Sequence, residues 1–106
     1  MKRSRHKYSA KATVVDGITF PSKKQAARYQ ELKILDKAGR ISMLELEPAF
    51  KCEINGVRIC TYRADFFYYD AEGQPIYEDV KGFRTPVYRL KKKLVKALHG
   101  IDILET

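Results

Sequence analysis

Two aspartates and a lysine in the second half of the chain have the types and the spacing that hydrolytic chemistry needs. Asp79 and Lys81 stand two residues apart in YEDVKGF (77–83), and Asp65 precedes them in YRADFF (62–67). If these segments pair as neighbouring strands, the two carboxylates approach each other. Converging carboxylates repel unless a cation lies between them. A hard divalent ion, Mg²⁺ or Mn²⁺, suits such oxygen ligands, and a lysine beside it could orient a water or offset charge on a phosphate.

Alternation along the second strand sorts its charged residues. Asp79 and Lys81 share one face, whereas Glu78 lies on the other face with Val80. We therefore predict that Glu78 faces solvent or supports the site from behind, and is not a metal ligand. Taken alone, Asp65 could instead be a strand-edge acid paired with a neighbouring arginine, and Asp79 with Lys81 could be a solvated strand face.

Two helices are predicted to flank these strands. The first spans residues 23–38, because Ser22 and Gln25 form a capping-box pattern and a glycine follows the last helical residue. The second spans 86–99, because Thr85 precedes a proline suited to the first helical turn and a glycine again follows. Its residues Val87, Leu90, Leu94 and Leu98 recur on one face, which predicts that this face is buried.

The strands between and around the helices follow from alternation and from turn residues. Residues 11–20 predict a small hairpin that turns at Asp-Gly, and Asn-Gly joins two long strands at 44–54 and 57–70. A third strand at 75–81 completes an antiparallel meander, and the last six residues form a short final strand. The predicted fold class is α/β, with a mixed β-sheet that contains an antiparallel meander flanked by two helices.

Composition and charge limit the possible functions. The chain has 106 residues and a formal net charge of +8, which predicts one small domain at 12–106 after a flexible basic arm at 1–11. No segment has the apolar length of a membrane span or the pattern of a secretory signal, so a cytoplasmic protein is expected. Residues 1–30 carry eight Lys or Arg against one acid, and residues 80–106 carry seven against two. Basic ends around an acidic middle favour a nucleic-acid partner, although charge could serve solubility alone.

The two cysteines are predicted to be reduced packing residues. With a two-residue Asn-Gly turn and regular pairing, Cys52 opposes Ile59 and Cys60 opposes Lys51, which puts the thiols on opposite faces of the sheet. A disulfide is therefore not expected, and two cysteines without a histidine partner do not make a zinc site.

The aspartates and lysine, taken with their surroundings, resemble a known superfamily. Asp65 followed by Asp79-Val80-Lys81 looks like the PD-(D/E)XK nuclease signature, an Asp on one strand and Asp/Glu-x-Lys on the next. GITFPSKKQAARYQEL, RADF, EDVKGF and TPVYRLKKKL resemble a family of small phage-encoded proteins of that superfamily, over nearly all of the chain after about residue 12. The resemblance implies a restriction-endonuclease-like core and Mg²⁺-dependent (or Mn²⁺-dependent) hydrolysis of DNA phosphodiesters. It also implies the cytoplasm of a bacterial host.

The resemblance implies roles for particular residues. Asp65 and Asp79 would be metal ligands, with the Val80 carbonyl as a third, and Lys81 would be the catalytic lysine. The position of a further helix glutamate is held by Gln25, whose uncharged amide is a weaker ligand. Glu47 or Glu31 could compensate, or Gln25 could be a plain capping residue. The predicted DNA-binding residues are Lys2, Arg3, Arg5, Lys23, Lys24, Arg84, Arg89, Lys92, Lys93 and Lys96.

These inferences predict a Mg²⁺-dependent DNA endonuclease. We expect duplex or branched DNA as substrate, with junction DNA preferred as in a Holliday-junction resolvase, and a homodimer because two strands need two sites. The alternative is a non-catalytic DNA-binding protein that keeps a degenerate nuclease fold. A third possibility, an acidic-patch interaction module, explains the basic ends poorly.

Overall fold

The computed structural model describes residues 12–106. The basic arm predicted at residues 1–11, with Lys2, Arg3 and Arg5, lies outside the described residues. Along the described chain the elements are β1 (Thr13–Val15), β2 (Ile18–Phe20), α1 (Lys23–Lys37), β3 (Ser42–Leu46), β4 (Ala49–Ile54), β5 (Val57–Arg63), β6 (Phe66–Tyr69), β7 (Pro75–Asp79), α2 (Pro86–His99) and β8 (Ile103–Glu105).

Both helices begin and end where their capping residues predict. The Ser22 hydroxyl accepts a hydrogen bond from the Gln25 N–H at 3.1 Å, and the Thr85 hydroxyl accepts one from the Tyr88 N–H at 3.0 Å. Gly100 ends α2 in the left-handed region, at a φ of 69°, which costs a glycine little. Within residues 12–106, neither helix has the length and apolar character needed to cross a membrane.

A four-stranded mixed sheet, in the order β3-β6-β7-β8, is the centre of the fold. Its first three strands are antiparallel, and β8 lies parallel to β7 after the crossover through α2. Two hairpins, β1–β2 and β4–β5, pair separately. The predicted α/β class with a mixed sheet and two helices is therefore confirmed.

The two long predicted strands are each divided in two. Glu47 has a positive φ of 53°, and Pro48 has no N–H to donate, so the ladder breaks between β3 and β4. The partner strand breaks at the same level, between β5 and β6. The Glu47 N–H donates to the Asp65 carbonyl and the Ala64 N–H donates to the Pro48 carbonyl, both at 3.0 Å. The hairpin β4–β5 therefore leaves the sheet at a corner directly beside Asp65.

Each face of the four-stranded sheet packs on a different helix. One buried cluster lies between the sheet and α1, and contains Phe20, Ala26, Tyr29, Leu32, Ile41, Phe66 and Tyr68. The other lies under α2 and the β4–β5 hairpin, and contains Cys52, Tyr62, Ala64, Tyr88, Val95 and Ile103. Tyr62 of β5 belongs to the second cluster, whereas Phe66 and Tyr68 of β6 belong to the first, because the strands separate at the corner.

The buried face of α2 differs from the predicted one. Tyr88 and Val95 are buried, whereas Val87, Leu90 and Leu98 are exposed. The helix docks through the side that lets Tyr88 reach β8. Of the predicted apolar stripe, only Leu94 is half-buried, against the second cluster.

The pairing of the two cysteines also differs from the prediction. Cys52 lies directly opposite Cys60, because the register shifts by one residue between the Glu53–Arg58 pair and the Cys52–Cys60 pair. Ile59 is the extra residue of this bulge. A single inserted residue reverses the face assignment of everything beyond it, so the predicted opposite orientation of the thiols is wrong.

Candidate functional site

Asp65 and Asp79 meet at the point where β7 ends and β6 begins. The Asp65 N–H donates to Oδ1 of Asp79 at 3.0 Å, and the Val80 N–H donates to Oδ2 of Asp65 at 2.8 Å. Each carboxylate therefore uses one oxygen to cap the backbone of the opposite strand. The predicted approach of the two aspartates is confirmed. The alternative for Asp65 was a neighbouring arginine as its partner, and its partner here is the Val80 N–H.

The free oxygen of Asp79 is poorly solvated. Asp79 is 1% exposed, and its Oδ2 is buried without a hydrogen-bond partner. The Lys81 Nζ lies 3.7 Å from that oxygen, which is an ion-pair distance but longer than a hydrogen bond. Burial raises the pKa of Asp79 and the pKa of Asp65, while Lys81 opposes the rise in both. The site thus holds carboxylates whose negative charge is incompletely compensated.

Lys81 is held in place by an aromatic ring and by its own backbone. Its Nζ lies 4.0 Å from the centroid of the Tyr88 ring, a cation–π distance. The Lys81 carbonyl accepts a hydrogen bond from the Lys24 Nζ at 2.8 Å, and its N–H donates to the Thr106 carbonyl. Lys81, Asp79 and Tyr77 share the face of β7 that looks toward α2, as alternation predicts.

Glu105 of β8 fixes Tyr88 in turn. Because β8 runs parallel to β7, Glu105 lies in register with Asp79. Its carboxylate accepts hydrogen bonds from the Tyr88 hydroxyl at 2.6 Å and from the Arg84 Nε at 2.7 Å, and the Lys92 Nζ lies 3.1 Å away. The hydrogen bond from Tyr88 and these cations lower the pKa of Glu105 to about 2. Burial and the bond to Glu105 raise the pKa of Tyr88.

Gln25 and Glu47 join Asp65 around a cleft of about 220 Å³ between α1 and the corner of the sheet. Gln25 is 7% exposed, so it lies on the inward face of α1. A Gln25 side chain on that face is the arrangement in which the sequence predicts that it can point at the site. Asp79 and Lys81 do not line this cleft and approach Asp65 from the α2 side. Glu31 is directed away, at an ion-pair distance of 3.1 Å from Arg28.

Glu78 lies behind the site and is fully buried. This excludes the solvent-facing alternative and leaves the alternative in which Glu78 supports the site from behind. The Arg28 guanidinium donates to both of its oxygens, from Nε at 2.6 Å and from Nη2 at 3.1 Å. The Tyr68 hydroxyl and the Thr106 hydroxyl donate the remaining bonds, at 2.7 and 3.0 Å. The bond to Glu78 raises the pKa of Arg28 above its usual range, and burial with the Glu78 bond raises the pKa of Tyr68 to about 12.

The donor set suits a hard divalent ion only partly. Among residues 12–106 no group of three or more His, Cys, Asp or Glu residues has metal-site geometry. Asp79 Oδ2 is buried and makes no hydrogen bond within this range, and a buried carboxylate oxygen without a partner needs a cation or a donor. The chain's own candidates to complete the set are the Val80 carbonyl, the Gln25 amide and, after a change of rotamer, Glu47. These are oxygen donors, and they fit Mg²⁺ or Mn²⁺ in type.

A basic groove of about 650 Å³ runs along α2 beside the site. The predicted DNA-binding residues Arg84, Arg89, Lys92, Lys93 and Lys96 all line it. Three of them are ion-paired: Arg84 and Lys92 with Glu105, and Lys96 with Asp102 at 2.8 Å. Arg89 and Lys93 have no ion pair within residues 12–106. Lys23 is exposed at the first turn of α1, on the same end of the sheet as Asp65.

Four residues of this region were not singled out by sequence reasoning: Arg28, Tyr88, Glu105 and Thr106. Tyr88 stands three residues after the helix cap. Its position could have been predicted as buried, since an aromatic residue in a basic first turn is unusual for a solvated helix. The roles of Glu105 and Thr106 depend on the parallel docking of β8, which no local pattern specifies.

Fold and site together define a mixed α/β protein in which two aspartates from adjacent strand ends meet beside a lysine and a basic helix. A protein-family model matches residues 5–101, and the chain belongs to that family, which is described as Protein of unknown function (DUF1064). Neither curated proteins nor solved structures give a match. The family description names no reaction, and the reaction is therefore inferred from the residues of the site.

Proposed function

We propose that the protein is a Mg²⁺-dependent or Mn²⁺-dependent DNA endonuclease of the PD-(D/E)XK type. The observation that carries the proposal is the buried Oδ2 of Asp79, which lacks a hydrogen-bond partner beside the second carboxylate of Asp65. A purely structural aspartate pair would be expected to satisfy all its buried oxygens. The element order, a helix, an antiparallel meander, a second helix and a parallel strand, agrees with the restriction-endonuclease-like core that the sequence resemblance implies.

Asp65 and Asp79 would hold the ion, with the Val80 carbonyl and the Gln25 amide as further oxygen donors. When bound, a divalent ion would supply Lewis-acid activation of water and of a phosphoryl oxygen. The chain's own residues hold the ammonium of Lys81 beside Oδ2 of Asp79, at 3.7 Å. There it can orient an attacking water and offset charge that develops on a phosphate.

Tyr88 is the residue that positions Lys81 in this proposal. Its ring holds the ammonium by a cation–π contact, and its hydroxyl is fixed by Glu105. The lysine is thereby directed at Asp79. Without this contact, the Lys81 side chain would have to be ordered at each turnover, which slows the reaction.

The basic groove supports DNA as the substrate. Its cations are spaced along α2 and can follow a phosphate backbone, while Arg89 and Lys93 lack acidic partners within the described residues and are the cations most available to bind phosphates. Branched or junction DNA is proposed from the resemblance. A homodimer follows from the need for two sites to cut two strands, and the exposed Phe83, Val87 and Leu90 would supply apolar area for a second copy.

A second candidate is a DNA-binding protein without turnover, and Gln25 is the observation that favours it. The amide occupies the cleft beside Asp65 where the resemblance implies a glutamate. A weaker, uncharged ligand lowers the affinity for a cation, so the fold could bind DNA while the site stays inactive.

The test is DNA cleavage with Mg²⁺ or Mn²⁺, measured on supercoiled plasmid, linear duplex and a four-way junction. We expect the parent to nick DNA, and Asp65→Asn and Lys81→Ala to lose that activity, while Asp36→Asn at the far end of α1 keeps it. Binding without cleavage in the parent, with cleavage gained by Gln25→Glu, would support the second candidate. Equal cleavage by the parent and Asp65→Asn would contradict the proposed site.

A further inference from the structure

The β4–β5 hairpin holds the two thiols of the chain face to face. The bulge at Ile59 places Cys52 directly opposite Cys60, and both are free cysteines. Side chains of directly opposed residues in an antiparallel pair point to the same face, with Cβ atoms about 4.5–5.5 Å apart. A disulfide needs Cβ atoms about 3.5–4.5 Å apart and Cα atoms about 4.4–6.8 Å apart. Closure of the bond therefore asks for an approach of about 1 Å.

The two thiols differ in access. Cys52 is 0% exposed, in the cluster that packs under α2 with Tyr62, Tyr88 and Val95. Cys60 is partly exposed at the edge of that cluster. A small oxidant can reach Cys60 directly, whereas Cys52 is fully buried. Burial and the adjacent Cys60 thiol also raise the pKa of Cys52.

Metal binding is a poor explanation of the pair. A structural zinc site takes four ligands, and within residues 12–106 no third ligating side chain completes a metal site there. The exposed His99 ring is engaged elsewhere, at 2.9 Å from the Lys51 carbonyl. Two opposed thiols with unequal access are instead the arrangement of a reacting and a resolving cysteine.

We propose that Cys52 and Cys60 form an oxidisable dithiol site whose reagent class is two-electron oxidants such as hydroperoxides. The Cys60 sulfur attacks one oxygen of the peroxide, the O–O bond breaks, and Cys60 becomes a sulfenic acid. The other oxygen leaves as hydroxide and takes up the thiol proton to form water. The Cys52 sulfur then attacks the Cys60 sulfur, the S–OH bond breaks, and a second water leaves. In total two thiols and one hydrogen peroxide give one disulfide and two waters, and a small-molecule dithiol reverses the change.

The site is intramolecular and closes within one hairpin. Residues 52–60 would form a ring around the Asn55-Gly56 turn, so β4 and β5 would be cross-linked at the bulge. The bond would lie in the same buried cluster as Tyr88 and Val95.

The test counts thiols in the full-length chain after treatment with hydrogen peroxide and removal of excess oxidant. The protein is unfolded and alkylated, and the peptide that contains both cysteines is analysed by mass spectrometry. We expect both thiols to be lost together in the monomer, with recovery of both after dithiothreitol. In Cys60→Ser, Cys52 should stay alkylatable under the same treatment, because it is fully buried and no longer has a thiol opposite it.

A swap of two adjacent residues gives a control of equal composition. Thr61 pairs with Lys51 on the other face of the hairpin, so Cys60→Thr combined with Thr61→Cys moves the thiol away from Cys52. This variant should form no intramolecular disulfide. The proposal is overturned if the parent keeps both thiols, if Cys60 oxidises while Cys52 remains alkylatable, or if the swapped variant forms the same bond.

Discussion

The main-chain N–H of Asp65 donates a hydrogen bond to the side chain of Asp79, 3.0 Å away, across the ends of two adjacent strands. This bond fixes one oxygen of Asp79 and leaves the other buried without a hydrogen-bond partner. The nearest cation, the Lys81 Nζ, lies 3.7 Å from that oxygen, beyond hydrogen-bond distance. The buried charge is therefore incompletely compensated, which is a stability cost. The first prediction follows from this cost.

Asp79→Asn should stabilise the protein at neutral pH. Burial raises the pKa of Asp79 in the folded state, so the free energy of unfolding falls as the pH rises through that pKa, and an amide does not ionise. We expect a gain on the order of 1 kcal/mol, or about 4–8 °C in Tm, in metal-free buffer at pH 7. The gain should vanish below about pH 3.9, the ordinary pKa of an aspartate. Thermal unfolding at several pH values measures it, with Asp36→Asn as control, and a loss of stability at pH 7 would contradict the account.

Arg28→Ala should destabilise the protein strongly. The substitution leaves Glu78 fully buried without its guanidinium partner, and removal of one member of a buried pair costs about 3–5 kcal/mol. Urea unfolding would measure the loss. Lys37→Ala, at the exposed end of the same helix, should change the free energy of unfolding by less than about 0.5 kcal/mol.

The double variant Arg28→Ala/Glu78→Gln separates charge from packing. It should recover part of the loss, because the uncompensated carboxylate is gone. One of the Tyr68 and Thr106 hydroxyls can still donate to the amide oxygen, and the other can accept from the amide N–H. A double variant less stable than Arg28→Ala would show that the buried charge is not the source of the cost.

Glu105→Gln should destabilise the protein at neutral pH and have less effect in acid. Its partners lower the pKa of Glu105 to about 2 from an ordinary 4.5, so its stabilising contribution is complete above pH 4.5 and is lost as the pH falls toward 2. We expect a loss of about 1–3 kcal/mol at pH 7, since one pKa unit corresponds to about 1.4 kcal/mol. Chemical unfolding of parent and variant across this range measures the difference, which should not grow with acid.

Tyr88→Leu should release Lys81 from its place, and Tyr88→Phe should retain it. A phenyl ring keeps the cation–π contact, worth about 0.5–2 kcal/mol, and loses only the bond to Glu105. If Lys81 acts in catalysis, the turnover of Tyr88→Leu should fall about 2–30-fold, with a smaller fall for Tyr88→Phe. The ring-current shift of the Lys81 ε-methylene protons, measured by NMR without DNA, should disappear in Tyr88→Leu alone. A shift that persists in Tyr88→Leu would refute the contact independently of any nuclease activity.

Arg89→Ala and Lys93→Ala should weaken DNA binding and reduce its dependence on salt. Each lost phosphate contact lowers the magnitude of the slope of log K against log salt by about 1. Fluorescence anisotropy at several salt concentrations gives the slope, with Lys37→Ala as a matched lysine outside the groove. Equal slopes for parent and both groove variants would place the DNA elsewhere.

Local patterns in the sequence predict the helix starts and the faces of β7. Side-chain caps at Ser22 and Thr85 fix both helix starts, and alternation on β7 correctly separates Asp79 and Lys81 from Glu78. These features depend on neighbours within four residues, so a pattern can reveal them.

Features that depend on docking between distant segments could not be predicted in the same way. The corner at Glu47 and Pro48 is stabilised by backbone bonds to Ala64 and Asp65, and the parallel pairing of β8 alone brings Glu105 beside Asp79. The bulge at Ile59 inserts one residue into β5 and so places the Cys52 and Cys60 thiols on the same face of the hairpin. The burial of Glu78 depends on Arg28, fifty residues earlier in the chain.

The claim that Asp65 and Asp79 hold a divalent ion can be tested by a crystal structure of the protein with Mn²⁺, examined by anomalous scattering. The account predicts an anomalous peak at ligand distance from both Asp65 and Asp79, and its loss in Asp79→Asn crystals grown in the same way. A structure in which Mn²⁺ is present at millimolar concentration, with no peak between the two carboxylates and with Asp79 Oδ2 satisfied by a water or a side chain, would contradict it.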